Sequence, residues 1–416
     1  MRDISTLIIG AGQAGLAMSH CLSQRSIEHV LLERGQVANS WRTERWDSLR
    51  LLTPNWQSRL PGYTYTGDQP DGYRTMPQTI DLLSGYANQI AAPIDSETTV
   101  LSVDTSDRGY HVKTNRGDWT CRTLVMASGA CNIANIPACA AELPGDIASL
   151  TPLTYRNPDQ LSGGGVLVVG ASATGVQLAS EVQRSGRQEI LATGEHVRVP
   201  RTYRGHDIKW WMDQTGVMDM TLAEVDDIRR ARHVPSLQLI GSPTQETISL
   251  NSLQAIGVQI AGRAMNIHDG KIQFSGSLAN VCRLADLKMN RLLTQIDDWI
   301  DAEAPGGVTE ASYRLRDTII PSDPLLQLDL KAAGIETVIW ATGFKPDYSW
   351  LNVPVITPRG ELRHQGGVVD APGLYALGLP FLRRRKSSLI DGVGDDAHDL
   401  SRHLASYLGQ TVAEAA

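Results

Sequence analysis

Two six-residue stretches have the residue types and spacing to do chemistry. Gly10-Ala11-Gly12-Gln13-Ala14-Gly15 fits the pattern G-x-G-x-x-G. In such a turn the first glycine allows the tight bend, and the second lets backbone approach a pyrophosphate. The third lets helix and strand pack closely. The helix after the turn would aim free N–H groups and its positive dipole end at that phosphate, with Gln13 and Ala14 of the turn among the cofactor contacts. Glu33 stands 18 residues beyond Gly15 and Arg34 follows it. A carboxylate at that offset accepts hydrogen bonds from ribose hydroxyls. Gly170-Ala171-Ser172-Ala173-Thr174-Gly175 repeats the logic, with Gln177 just beyond it. Ser172 replaces the middle glycine, and its hydroxyl can still bond a phosphate. The position matching Glu33 is Thr193, with Arg198, Arg201 and Arg204 downstream. A missing acid beside arginines suits the 2′-phosphate of NADP better than the free hydroxyl of NAD; Glu195 argues the other way.

Each turn needs a buried strand before it and a helix after it. Short apolar runs at 5–9 and 166–169 predict the strands. Helical spacing at 16–25 and 176–185 predicts the helices. Second strands follow at 29–33 and 189–193. Further strands are expected at 99–103, 110–114, 124–127, 337–340 and 374–377, and a final helix over 397–407. Small residues end two of these strands, Ala127-Ser128-Gly129 and Ala341-Thr342-Gly343, where backbone must approach closely. Residues 133–164 and Pro305-Gly306-Gly307 read as linkers. The expected fold class is α/β, with two Rossmann-like dinucleotide-binding domains, the second inserted into the first. Residues 1–160 and 310–416 would form the first domain and 161–309 the second. Trp210-Trp211 reads as helix packing or as a cavity wall. Trp46, Trp56, Tyr63 and Tyr65 lie in a long loop able to shape an apolar pocket.

Composition narrows the classes. The 416 residues carry a formal net charge of -7 and no basic tail, so nucleic acid and anionic membrane are poor partners. The run Arg383-Arg384-Arg385-Lys386 suits a phosphate or surface role. The five cysteines are odd in number and form no C-x-x-C pair. This favours a reducing, cytoplasmic setting and argues against a redox dithiol. No metal-ligand spacing is present, so no metal is expected. The apolar stretch 7–18 is broken by three glycines and is too short to span a bilayer. Composition leaves the oligomeric state open; a homodimer is the working expectation.

The two glycine turns, Trp41-Arg42, Leu52-Thr53-Pro54-Asn55, Tyr155-Arg156-Asn157-Pro158 and Ala341-Thr342-Gly343-Phe344-Lys345-Pro346-Asp347 occur in the order seen in flavin-containing monooxygenases. Over nearly its whole length the chain resembles the shorter bacterial branch of that family. The resemblance implies FAD on the first turn and NADPH on the second. It implies oxygen capture as a C4a-hydroperoxyflavin and transfer of one atom from O2 to nitrogen or sulfur of a small organic substrate. It places Asn55 in the catalytic site, and it sets Trp41, Arg42 and Thr53 by the flavin or its pyrophosphate. The Gly129 and Ala341–Gly343 segments would touch cofactor. The chemistry belongs to the flavin, so no Ser-His-Asp constellation is needed. One departure stands out: the family fingerprint has histidine where this chain has Thr151. A flavin oxidase or dehydrogenase, or a non-catalytic nucleotide-binding redox module, are the alternatives.

Overall fold

A computed structural model describes residues 2–303 and 310–409. The expected linker Pro305-Gly306-Gly307 lies outside the described residues. The chain opens with β1 (Arg2–Ile9), α1 (Gln13–Ser23) and β2 (His29–Leu32). A short helix α2 (Asn39–Thr43) follows. Next comes α3 (Met76–Gln89), started by a reciprocal capping box between Thr75 and Gln78 with proline in its first turn. Strands β3 (Ile94–Asp95), β4 (Val100–Ser106), β5 (Gly109–Thr114) and β6 (Trp119–Met126) come next. Then β7 (Ile133–Ala134) and β8 (Ala148–Leu150) lead to β9 (Gly165–Val169), α4 (Ala173–Arg184) and β10 (Glu189–Ala192). After these come α5 (Ile208–Gln214), β11 (Gln259–Ala261), α6 (Leu278–Glu303), β12 (Ile335–Trp340), β13 (Leu374–Ala376) and α7 (Val393–Tyr407).

Two sheets share one plan. The first runs β3-β2-β1-β6-β13 with parallel neighbours, and β5 and β4 add antiparallel beside β6. The second runs β11-β10-β9-β12-β8, all parallel. In each, the strand feeding a glycine turn lies at the centre, where strand order reverses and ligands bind in α/β sheets. Buried side chains cover both faces of the central strands. Ile8 faces the core that holds α1 and α7, whereas Leu7 and Ile9 face the opposite one. Val166 and Val168 face the α4 side, and Leu167 and Val169 face away.

Sheet membership moves the expected domain boundaries. β8 and β12 belong to the second sheet, although 133–160 and 310–340 were expected in the first domain. Apolar residues on both faces of β12 require a central place, and it takes one between β9 and β8. The chain crosses back just after Gly343. There Phe344–Lys345 pairs antiparallel with β7, so the outgoing and returning crossings lie side by side. The longest described helix, α6, was not anticipated. Its buried Cys282, Ala285, Met289, Leu293, Ile296 and Ile300 recur at helical spacing, and the last four of these pack with Trp211 of α5.

Candidate nucleotide sites and active site

At the first turn each glycine has its own reason. Gly10 has φ +106°, and a Cβ there would stand 2.6 Å from the Ala127 carbonyl oxygen. A Cβ at Gly15 would overlap the Gly10 carbonyl oxygen, whereas one at Gly12 meets nothing within 4 Å. Space is therefore open on the Gly12 side of the turn. α1 starts at Gly12 with no side-chain cap, so its first N–H groups are available to an anion. Gln13 and Ala14 occupy that first turn. Glu33 is 6% exposed. Its Oε2 accepts from Ala11 N–H at 2.8 Å and its Oε1 from Gly35 N–H at 3.2 Å. A carboxylate has about four acceptor sites, so capacity remains for ribose hydroxyls. Ala38 N–H donates to the Ala11 carbonyl at 3.3 Å, which ties α2, with Trp41 and Arg42, to this turn. A Cβ at Gly378, which the sequence did not single out, would stand 2.8 Å from Ala14 Cβ.

The second turn repeats this construction. Gly170 has φ +109°, and a Cβ there would overlap the Ala341 carbonyl oxygen. Gly175 is pressed on the Gly170 carbonyl as Gly15 is on that of Gly10. Gly170 N–H donates to Ala192 O at 2.9 Å, just as Gly10 N–H donates to Leu32 O at 2.8 Å. The segment Ala341-Thr342-Gly343 thus stands to the second turn as Ala127-Ser128-Gly129 stands to the first. Ser172 caps α4 without a side-chain bond, and Thr174 sits in the helix's first turn. Gln177 is engaged otherwise: its Nε2 donates to the Leu239 carbonyl at 2.8 Å. Gln238 returns the tie, donating from Nε2 to Ala171 O at 2.8 Å. Its Oε1 is buried without a partner among the described residues. No sequence spacing links Gln238 to a turn 67 residues away.

Three arginines expected near a phosphate are held elsewhere. Arg198, 3% exposed, pairs with Asp286 and donates to Thr318 Oγ1 and Arg316 O, each at 3.1 Å. Arg201, fully buried, pairs with Asp207 and donates to Leu52 O at 2.9 Å. Its guanidinium lies 4.4 Å over the Tyr73 ring. Arg204 pairs with Asp297 at 3.0 Å. A buried guanidinium must be paired, and these partners complete the pairing inside the protein. Arg198 and Arg201 are structural here, contrary to expectation. Three of the four cations of the basic run are likewise paired, and Arg385 instead lies over the Phe381 ring. Arg383 and Arg384 reach Asp399 at 3.2 Å, and Lys386 meets Asp219 at 2.7 Å and Asp395 at 3.0 Å.

The remaining expected residues border the first unit. Trp41 packs part-buried on its core beneath Arg45, at 5.3 Å. Arg42 donates to Val37 O at 2.9 Å and Ser84 Oγ at 3.2 Å, and Arg34 pairs with Glu44. Thr53 lies between Leu52, which holds Arg201, and Pro54. Asn55 is 9% exposed, and its Nδ2 donates to Gln69 O at 2.8 Å. Its Oδ1 is buried with no partner among the described residues. Thr151 sits in a turn closed by Thr154 Oγ1 at 3.0 Å and by Tyr155 N–H at 2.8 Å.

A groove of about 450 Å³ opens between the loop around Asn55 and α5, walled by Trp56, Arg59, His206 and Trp210. The His206 ring stacks on Trp210 at 4.1 Å, while Trp211 is fully buried. Trp211 is therefore core packing, whereas Trp210 lines the groove. On the groove wall, Arg59 joins Asp213 at 2.8 Å and, deeper in the protein, Asp391 at 2.7 Å. Burial pushes the Asp391 carboxyl up to about 6 and brings the Lys209 ammonium down to about 8. All five cysteines are free, and burial raises the Cys21 and Cys121 thiols to about 11 and about 12. Neither of those two is a thiolate near neutral pH. Among the described residues there is no metal-binding cluster and no helix long and apolar enough to cross a membrane.

Comparison with known proteins agrees with this geometry. The profile of the pyridine nucleotide-disulphide oxidoreductase family matches residues 7–215. A CzcO-like uncharacterized oxidoreductase of Geobacillus kaustophilus is 32% identical across 97% of this chain and 99% of its own. The indole-3-pyruvate monooxygenase YUCCA6 of Arabidopsis thaliana is 31% identical over 48% of this chain and 50% of its own. A flavin-containing monooxygenase from Stenotrophomonas maltophilia shares the fold, with a TM-score of 0.68 at 18% identity. That likeness covers 98% of this chain and 100% of that one. The chain belongs to the pyridine nucleotide-disulphide oxidoreductase family.

Proposed function

We propose that the chain holds FAD on the first turn and NADPH on the second, and inserts one oxygen atom from O2 into a small organic substrate at nitrogen or sulfur. The observation that carries this reading is the duplicate construction of two strand–glycine turn–helix units in one chain. A bound flavin would supply the oxygen-activating chemistry, and the protein would supply binding, orientation and exclusion of water. Gly12 and the α1 N-terminus would take the FAD pyrophosphate, and Glu33 its ribose. Ser172 and the α4 N-terminus would take the pyrophosphate of NADPH. Asn55, on the loop bordering the groove, would place its amide beside the reacting centre. Trp56 and Trp210 give substrate an aromatic surface on which to bind.

Oxygen-18 labelling tests the reaction. The holoenzyme is supplied with NADPH, labelled O2 and a panel of thioethers and tertiary amines. The reading requires label from O2 in an S-oxide or N-oxide. Product without label, or reducing equivalents recovered wholly as peroxide, would transfer the assignment to an oxidase or dehydrogenase.

A further inference from the structure

With Arg198, Arg201 and Arg204 engaged inside the protein, the second unit needs another cation if it is to prefer a nucleotide bearing a 2′-phosphate. We propose that Arg263, delivered by the neighbouring strand β11, is that residue and sets the preference for NADPH over NADH. The inference rests on the reading above that the second turn binds a nicotinamide nucleotide.

Topology brings Arg263 to the right rim. β10 ends beside β11 in register, Ala192 against Ala261. Thr193 N–H donates to Ala261 O at 2.9 Å, so the two strand ends are bonded together. Thr193 holds the position that Glu33 holds in the first unit, the end of the strand next to the glycine turn, where a ribose is recognised. Having no carboxylate there, Thr193 does not repel a phosphate. Arg263 lies two residues past Ala261 on this same edge.

The local build keeps the arginine in place. A Cβ at Gly262 would overlap the Ser275 carbonyl oxygen, so the chain packs tightly against the Ser275 backbone. Ser275 N–H then donates to Arg263 O at 2.8 Å. Gly194 completes the fit: a Cβ there would meet Arg263 Cγ at 3.7 Å and Cδ at 3.9 Å. The arginine stem therefore lies along the loop that follows Thr193. Arg263 is exposed, and its guanidinium makes no ion pair or hydrogen bond with another described residue. Glu195, the acid on this loop, is paired with Lys288 at 2.9 Å, which offsets its repulsion of an incoming phosphate. A free guanidinium presents a planar fork that matches phosphate oxygens.

The test separates phosphate recognition from adenosine binding and from catalysis. Calorimetric titration of the full-length, FAD-loaded protein with 2′,5′-ADP and with 5′-AMP is compared for the parent, Arg263→Ala and Arg263→Lys. The parent is expected to bind 2′,5′-ADP more tightly than 5′-AMP. Arg263→Ala should weaken 2′,5′-ADP by about 10- to 100-fold, the loss of charge-assisted hydrogen bonds. It should leave 5′-AMP unchanged, and Arg263→Lys should retain part of the preference. The proposal is overturned if Arg263→Ala weakens both ligands alike or leaves 2′,5′-ADP untouched. A parent that binds the two equally, or prefers 5′-AMP, also overturns it, while leaving nucleotide binding intact. A parent that binds neither refutes the underlying nicotinamide reading and the proposal with it.

Discussion

Gly10 and Gly12 sit two residues apart in one turn and answer to different constraints. Gly10 is held at positive φ against the Ala127 carbonyl, so Gly10→Ala strains the fold itself. Backbone conformation alone accounts for about 1–2 kcal/mol, and the overlap with Ala127 adds to it. Gly12 faces open space, so Gly12→Ala should leave the FAD-free protein within about 0.5 kcal/mol of the parent. Its new methyl would stand where the pyrophosphate approaches. Thermal unfolding of the FAD-free proteins, set beside FAD titration, should show Gly10→Ala losing stability and Gly12→Ala losing mainly affinity. These glycines were legible because the turn dictates their spacing over six consecutive residues. Arg198 was misread because its partner is not local, and Arg201 because no spacing shows that Asp207, six residues on, would hold it in the interior. Asp286 lies 88 residues from Arg198, and Leu52 lies 149 residues from Arg201. Gln238 was invisible for the same reason. A one-dimensional pattern shows that an arginine is present, not which carboxylate the fold will bring to it.

At the scale of elements, Arg201 fastens the loop around Asn55 to the start of α5. It holds Leu52 O and Asp207, Asp207 caps α5 through Lys209 N–H at 2.7 Å, and Tyr73 Oη donates to Asp207 at 2.6 Å. Removing Arg201 leaves Asp207 buried without its cation, a loss of about 3–5 kcal/mol. Arg201→Ala is therefore expected to unfold at markedly lower denaturant, measured by chemical denaturation. The fraction that folds should keep the parent's ratio of NADPH to NADH affinity, because Arg201 does not reach phosphate. A changed ratio would return Arg201 to the nucleotide site. Elements with continuous buried apolar runs, such as β1, β9 and β12, were readable. β8 was not, since its three residues are exposed or half-exposed and only their place beside β12 makes them a strand. α6 carried a countable signal in the spacing of its buried positions, but the Asp, Lys and Arg residues between them masked it.

For the whole molecule, the seam behind the groove couples protonation to stability. Asp391 titrates near 6 in the fold against an ordinary 3.8, because its burial outweighs the attraction of Arg59. The folded state therefore holds this proton more tightly. Its contribution is complete below about pH 4 and is lost as pH rises through about 6. Asp391→Asn should flatten the fall in stability between those values relative to the parent, followed by thermal unfolding across pH; an unchanged slope would remove Asp391 from the account. The two-sheet plan was legible from the paired turns, whereas the domain boundaries were not, because strand membership in a parallel sheet is decided by pairing partners distant in sequence. The claim on which the rest depends is that both turns bind nucleotide and pass electrons between them. Anaerobic titration of the purified, FAD-supplemented protein with NADPH, followed through the visible flavin absorbance, tests it most directly. The account predicts a yellow protein that bleaches fully with stoichiometric NADPH and recovers its colour on admission of air. A protein that takes up no FAD, or whose bound flavin stays oxidised in excess NADPH, would contradict it.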